Sequence, residues 1–271
     1  MKDAEADFGP YQVRHYPRDP DRLVIVFASA GRKGAIRTTE EFRNSLWDSG
    51  VSLCFVWDSE PSWYNHDATP QMMDHVADLS SAYRHVGALG HSMGASGAIV
   101  FAGHCRQVER VLAFSPQFSL ADPFIRFDDR FNRIGPLHPN QRYSTFHALE
   151  RSDRIVVLYG TEEWADLVHA GVYAVHGYDL GFVAGSGHLV PQALKSATEG
   201  NLLVDLAARF ADFSGPFDYD AVKAVLGGRV SRQISTREWA FGEAPGVTSG
   251  VEPAAASPER LTDLAKGRAT D

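Results

Sequence analysis

The chain has 271 residues, 44% of them hydrophobic, enough for one α/β domain with a full core and too few for two of ordinary size. Acidic side chains outnumber basic ones, 34 to 26, and the net charge of −8 leaves no broad cationic surface for nucleic-acid phosphates or an anionic membrane. The two cysteines, Cys54 and Cys105, stand in no C-x-x-C or metal-ligand spacing and read as reduced thiols in or near the core.

Met1 to Asp7 contain no apolar signal region, and no run approaches the ~20 apolar residues of a membrane span, so a cytoplasmic location is expected. Residues 11–16 alternate weakly, as an antiparallel edge strand does. Leu23-Val24-Ile25-Val26-Phe27 is a continuous apolar run of the kind buried on both faces of a parallel sheet. It ends in Ala28-Ser29-Ala30-Gly31, small residues where backbone can come close to a ligand. Thr38-Thr39-Glu40-Glu41 opens a helix that runs through Leu46-Trp47 and closes near Gly50. The next buried strand, Val51 to Trp57, leads into a loop from Asp58 to His66 that carries Trp63 and Tyr64. Loops at the carboxyl ends of parallel strands build the sites of α/β proteins, so these two rings either reach a substrate or cover the sheet edge.

A helix from about Thr69 to Arg84 sets Met72, Met73, Val76, Leu79 and Tyr83 at helical spacing, as core fillers. Then come an apolar strand, Val86-Gly87-Ala88-Leu89, the pentapeptide Gly90-His91-Ser92-Met93-Gly94, and a small-residue helix from Ala95 to Ala102. In this setting G-x-S-x-G reads as a nucleophile elbow, a strained turn that holds the Ser92 hydroxyl out of the sheet. The following helix aims unpaired N–H groups, Met93's among them, at the same point, where they suit an oxyanion. The competing reading is a Gly-rich β-to-α turn around a buried structural serine.

Another strand, Val108 to Phe114, ends at Ser115-Pro116. Residues 117–153 then lose regular patterning, and their aromatic content predicts an ordered cap. Rings (Phe118, Phe124, Phe127, Phe131, Tyr143, Phe146) alternate there with Arg126, Arg130, Arg133 and Arg142. Either they contact a polar, acylated carbohydrate, or the rings form the cap's own core and the arginines pair with Asp128 and Asp129. A strand over 154–160, an acidic loop, a helix over 166–175 and a last strand over 178–184 follow, the strand running into Gly185-Ser186-Gly187-His188. Helices near 190–198 and 202–213 close a single domain over 1–240, and 241–271 reads as a mobile tail.

A strand-elbow-helix, a later strand ending in acids and a last strand ending in Gly187-His188 resemble the α/β-hydrolases, whose chain order is likewise Ser, acid, His. The resemblance spans about residues 20–213. It implies an α/β-hydrolase fold, with a mostly parallel central sheet, helices on both faces and a short cap insertion. Phe114-Ser115-Pro116-Gln117 and the loop from Asp58 to Tyr64 are also similar to uncharacterised bacterial hydrolases associated with polysaccharide gene neighbourhoods. A His-Gly pair often follows the early oxyanion strand of the family, whereas this chain has Ala28-Ser29 there, so the second oxyanion donor falls on the backbone of Ser29 or Ala30.

A serine hydroxyl needs a base to take its proton during attack. His188, in a glycine-rich turn after the last strand, fills that role; His91 belongs to the elbow and packs beside the site. The third group should follow the strand over 154–160, where Glu162, Glu163 and Asp166 compete; Glu163 has the commoner spacing, and Asp166, ranked first, the commoner side chain. His138 and His147 show no H-E-x-x-H or comparable spacing, and Gly31-Arg32-Lys33-Gly34 is too short a signal for a nucleotide, so neither metal nor cofactor is expected. The expected activity is cleavage of a carboxylic ester, on a small molecule or a carbohydrate, through an acyl-enzyme. Acyl transfer by the same triad, or a non-catalytic module retaining the pocket for binding, are the alternatives.

Overall fold

The computed structural model describes residues 4–30, 40–121, 127, 128, 130 and 142–232. A hairpin of β1 (Ala4–Phe8) and β2 (Tyr11–Tyr16) turns at Gly9 and is followed by β3 (Arg22–Phe27). Next come the short α1 (Arg43–Leu46), β4 (Ser52–Asp58), α2 (Thr69–Ser80), β5 (His85–His91), α3 (Met93–His104) and β6 (Val108–Phe114). A 3₁₀ segment, Thr145–Arg154, leads to β7 (Ile155–Gly160), α4 (Trp164–Val175) and β8 (Asp179–Val183). The fold closes with α5 (Val190–Lys195), α6 (Leu202–Ala211), α7 (Tyr219–Leu226) and β9 (Val230–Ser231).

Among the described residues the strands form one sheet of nine, in the order β1-β2-β4-β3-β5-β6-β7-β8-β9. It is parallel from β4 across to β8 and antiparallel where β2 meets β1 and β4 and where β9 meets β8. The apolar run of β3 explains its central place, because alternate residues serve opposite faces. Leu23, Ile25 and Phe27 join Met72, Met73 and Val76 of α2 and Ala98, Ile99 and Phe101 of α3 in one core layer. Val24 and Val26 join Leu46, Leu206, Phe210 and Val222 in the other, against α1, α6 and α7. Each such fully buried side chain contributes roughly 1.5–3 kcal/mol. No helix among the described residues is long and apolar enough to cross a membrane.

Several boundaries differ from the sequence reading. The strand over 179–183 is not the last: α7 and β9 follow it, and β9 pairs antiparallel with β8 at Val183–Val230. Strand β1, Ala-Glu-Ala-Asp-Phe, is largely solvent-facing and exists through its pairing with β2, which no local apolar pattern announces. Helix α2 ends at Ser80, so Tyr83 reaches the core from the following turn, donating or accepting a 2.7 Å hydrogen bond with buried His15. The start of the helix expected from Thr38, the 241–271 tail and much of the expected cap (Phe124, Arg126, Asp129, Phe131, Arg133, His138) lie outside the described residues, as do the side chains of Phe146 and His147.

Close packing at the end of β5 positions the elbow. A Cβ on Gly94 would sit 2.0 Å from the Phe27 carbonyl oxygen, and one on Gly90 2.3 Å from the Gly94 backbone. Both contacts are impossible for any side chain, so β3, β5 and α3 can converge only where both glycines stand.

Candidate active site

Ser92 occupies the crossing between β5 and α3 with φ 54 and ψ −123, a conformation foreign to ordinary L-residues. Its N–H donates to the Phe114 carbonyl at 2.8 Å and its own carbonyl receives Ser96 N–H at 3.2 Å, so backbone bonds on both sides hold the strained turn. Met93 begins α3, and the N–H groups of a helix's first turn lack intrahelical acceptors. The side chain of Met93 itself is fully buried.

His188 follows β8 through Gly185, whose φ of 66 makes the turn that brings the imidazole back over the sheet edge. Its Nε2 lies 2.9 Å from Ser92 Oγ and its Nδ1 lies 2.8 Å from Asp166 Oδ2. With Nδ1–H donated to the carboxylate, Nε2 is left to accept the serine proton. Asp166 sits in the first turn of α4 and is completely buried. Burial pulls its carboxyl upward, but His188 and Arg130 more than offset that and hold it below the ordinary carboxylate range. Glu163, the other candidate, instead caps α4, accepting Ala165 N–H at 3.4 Å.

His91 lies beside His188, ring centroids 5.1 Å apart, and its Nε2–H donates to the His188 carbonyl at 3.0 Å. Burial, then proximity to His188, push its pKa down to about 4, so it stays neutral and pins the backbone of its neighbour.

Arg130 donates to Asp166 Oδ1 at 2.8 Å and, through Nε, to Asp128 Oδ1 at 2.7 Å. The pairing of Asp128 with an arginine anticipated from the sequence is thus present, and Arg130 extends it to the acid beside His188. Asp128, also fully buried, is raised by burial and then lowered further than it was raised by Arg130 and His169. Both carboxylates therefore contribute stability that is fully present above the ordinary carboxylate range and is lost as pH falls through their depressed values. Arg130→Gln is expected to cost roughly 2–4 kcal/mol at neutral pH, somewhat less than for a wholly buried partner because the guanidinium is partly exposed. The deficit should persist through the ordinary carboxylate range and shrink only as pH falls below it toward the depressed values, which urea unfolding along an acid series measures. A pH-independent deficit would mean that the loss is one of packing.

Two expectations are corrected, for Ser29 and for the Trp63–Tyr64 pair. Ser29 does not offer a free oxyanion donor: its N–H lies 3.2 Å from Glu41 Oε2 and its hydroxyl donates to Glu41 Oε1 at 2.5 Å. Ala30, half-buried at the edge of the core, ends the described segment. Trp63 and Tyr64 do not face a substrate as open rings, being 2% and 0% exposed. Asp58 folds their loop inward by accepting Ser62 N–H, Ser62 Oγ–H and Tyr64 N–H, which forces φ values of 53 and 56 on the two aromatics. Tyr64 lies against Gly97 and donates to the Ala28 carbonyl, while the Trp63 indole donates to Gln117 Oε1 at 2.9 Å. Gln117 and Glu41 entered the sequence reading only within a four-residue likeness and a helix start, with no role at the site, since a lone glutamine or glutamate carries no local signature of what it meets.

A cleft of about 880 Å³ is bordered by Ser29, Glu41, Phe42 and Lys195, and by His91 and Leu189, the chain neighbours of Ser92 and His188, which do not themselves line it.

No protein-family model and no curated protein matches the sequence. Solved structures do match in shape. A hyperthermophilic esterase from the archaeon Pyrobaculum calidifontis superposes with a TM-score of 0.55 at 16% identity, over 79% of this chain and 83% of that one. The 2,6-dihydroxy-pseudo-oxynicotine hydrolase gives 0.54 at 14% identity, over 80% and 70%. The capsule O-acetyltransferase of Neisseria meningitidis serogroup A gives 0.53 at 13% identity, over 68% and 86%. The chain has the α/β-hydrolase fold. Within that fold Ser92 stands after the central β5, Asp166 after β7 and His188 after β8, so three separate crossovers deliver the three side chains to one sheet edge.

Proposed function

We propose that the chain is a serine esterase with Ser92 as nucleophile, His188 as general base and acid, and Asp166 as the group that orients the imidazole. The observation that carries this reading is the continuous hydrogen-bonded line from Ser92 Oγ through His188 to buried Asp166, 2.9 and 2.8 Å in its two links. As Oγ attacks the ester carbonyl, its proton passes to His188 Nε2, the carbonyl π pair moves onto oxygen, and Met93 N–H faces the resulting charge. Collapse expels the alcohol, which takes the proton from His188 and leaves an acyl-Ser92. Water, deprotonated by the same imidazole, then releases the carboxylic acid.

The substrate we favour is an acyl or acetyl ester on a polar carbohydrate. The reading is supported by Glu41, Lys195 and Ser29 on the cleft border, polar groups that suit a carbohydrate, beside an apolar wall of Phe42, Leu189 and Leu203 that suits an acyl group. Acyl transfer to a sugar is the second reading, favoured by the shape likeness to a protein described as a capsule O-acetyltransferase. A fluorophosphonate probe is expected to modify Ser92 in the folded protein, and failure to do so would favour a non-catalytic binding module. A panel of acetylated sugars, aryl acetates and long-chain esters then tests the substrate class, and product analysis with competing sugar acceptors separates transfer from hydrolysis. Exclusive turnover of long acyl chains would remove the carbohydrate reading.

A further inference from the structure

The Gln117 side chain is 2% exposed and lies beside the nucleophile, held at both ends of its amide. The indole of Trp63 is a donor only, so the 2.9 Å contact at Nε1 requires the Gln117 oxygen on that side. The amide nitrogen is thereby turned toward Ser92. One of its hydrogens reaches the Ser115 carbonyl at 3.2 Å; the other points at Ser92 Oγ from 3.5 Å, too far for a strong bond to the resting serine. The backbone on either side is equally constrained, with Ser96 Oγ–H donating to the Gln117 carbonyl at 2.9 Å.

Strain concentrates on this arrangement. Trp63, Ser92 and Ser115 have φ values of 53, 54 and 48, and none of them is glycine. Such conformations persist only where surrounding structure overdetermines them, and here all three belong to the contact set of one amide. The β3 side of the site differs: of the two backbone donors expected there, on Ser29 and Ala30, the Ser29 N–H is taken by Glu41. A buried donor underused in the resting state thus stands next to the atom that forms the new bond, while a backbone donor is occupied elsewhere.

We propose that the Gln117 amide is a substrate-facing donor that binds the acyl oxygen as charge develops on it, with the Trp63 indole fixing which way the amide faces. The proposal rests on Ser92 being the nucleophile. An oxygen on the carbon bonded to Oγ lies one bond angle away from Oγ, within reach of a donor placed 3.5 Å from that atom. Because the interaction tightens only in the tetrahedral state, it lowers the barrier and leaves ground-state binding nearly unchanged.

Gln117→Met keeps the side chain's length and removes its donor. It is expected to lower kcat on an aryl acetate by about 10²–10³-fold with little change in KM. Affinity for a trifluoromethyl ketone, which forms the tetrahedral adduct, should fall in parallel. Trp63→Phe removes the indole N–H and should cost about tenfold, through the amide alone; the double variant should then be no slower than Gln117→Met. Wild-type kcat and ketone affinity in both single variants, with Ser92→Ala inactive, would overturn the proposal. Activity retained by Ser92→Ala would instead sink the nucleophile assignment beneath it. If Gln117→Met does not fold, Trp63→Phe decides: unchanged kcat overturns the proposal and a selective loss of kcat supports it. Additive losses in the double variant would show that Trp63 does not act through Gln117.

Discussion

Ser92→Ala is expected to lower kcat for a short acyl ester by roughly a million-fold, to a residue of activity supplied by binding and the remaining oxyanion donors. The loss is so large because the hydroxyl that meets His188 Nε2, at 2.9 Å, is that of Ser92. Stability should barely change. Among the described residues the hydroxyl bonds to His188 and, at longer range, to the Gln117 amide, and alanine keeps the Cβ that the turn already accommodates. The change should leave the thermal midpoint within a few degrees. A purified, folded Ser92→Ala protein with wild-type turnover would end the assignment of Ser92 as nucleophile, and an inert wild-type protein that still binds sugar esters would replace the hydrolase reading with a binding module.

Asp166→Asn is the second large effect, about 10⁴-fold in kcat. Its cause can be followed atom by atom. Arg130 donates to Asp166 Oδ1, so an asparagine there keeps its oxygen toward the guanidinium and must turn its NH₂ toward His188 Nδ1. That nitrogen then accepts instead of donating, the proton moves to Nε2, and the imidazole presents a hydrogen to Ser92 where it needs a lone pair. Glu163→Gln touches only the cap of α4 and should cost at most about 1 kcal/mol of stability, with turnover within a few-fold of the wild type. Steady-state kinetics of the two variants side by side decide between the acids. A larger kcat loss in Glu163→Gln would reverse the assignment.

The local pattern of the sequence carried the frame of this protein. Continuous apolar runs such as Leu23 to Phe27 announced strands buried on both faces, because in a parallel sheet both faces are covered by helices. Gly90 and Gly94 around Ser92 announced the elbow, since the convergence of β3, β5 and α3 excludes a Cβ at either position. His188 was legible from the glycines before it. What the sequence left open were choices between side chains a few residues apart or far apart along the chain. Asp166 and Glu163 differ by three residues, and only the rotation of α4 turns the first inward to His188 and leaves the second at the helix end. Trp63 and Tyr64 had two readings in the sequence, reaching a substrate or covering the sheet edge, and Asp58, which draws their loop inward, decides for burial. Glu41 at Ser29, Arg130 at Asp166 and Gln117 at Ser92 join partners 12, 36 and 25 positions apart. Contacts of that kind leave no periodicity or spacing in the chain, because they exist only after the sheet has set strand ends side by side and the loops between them have found the buried hydrogen-bond partners they lack locally.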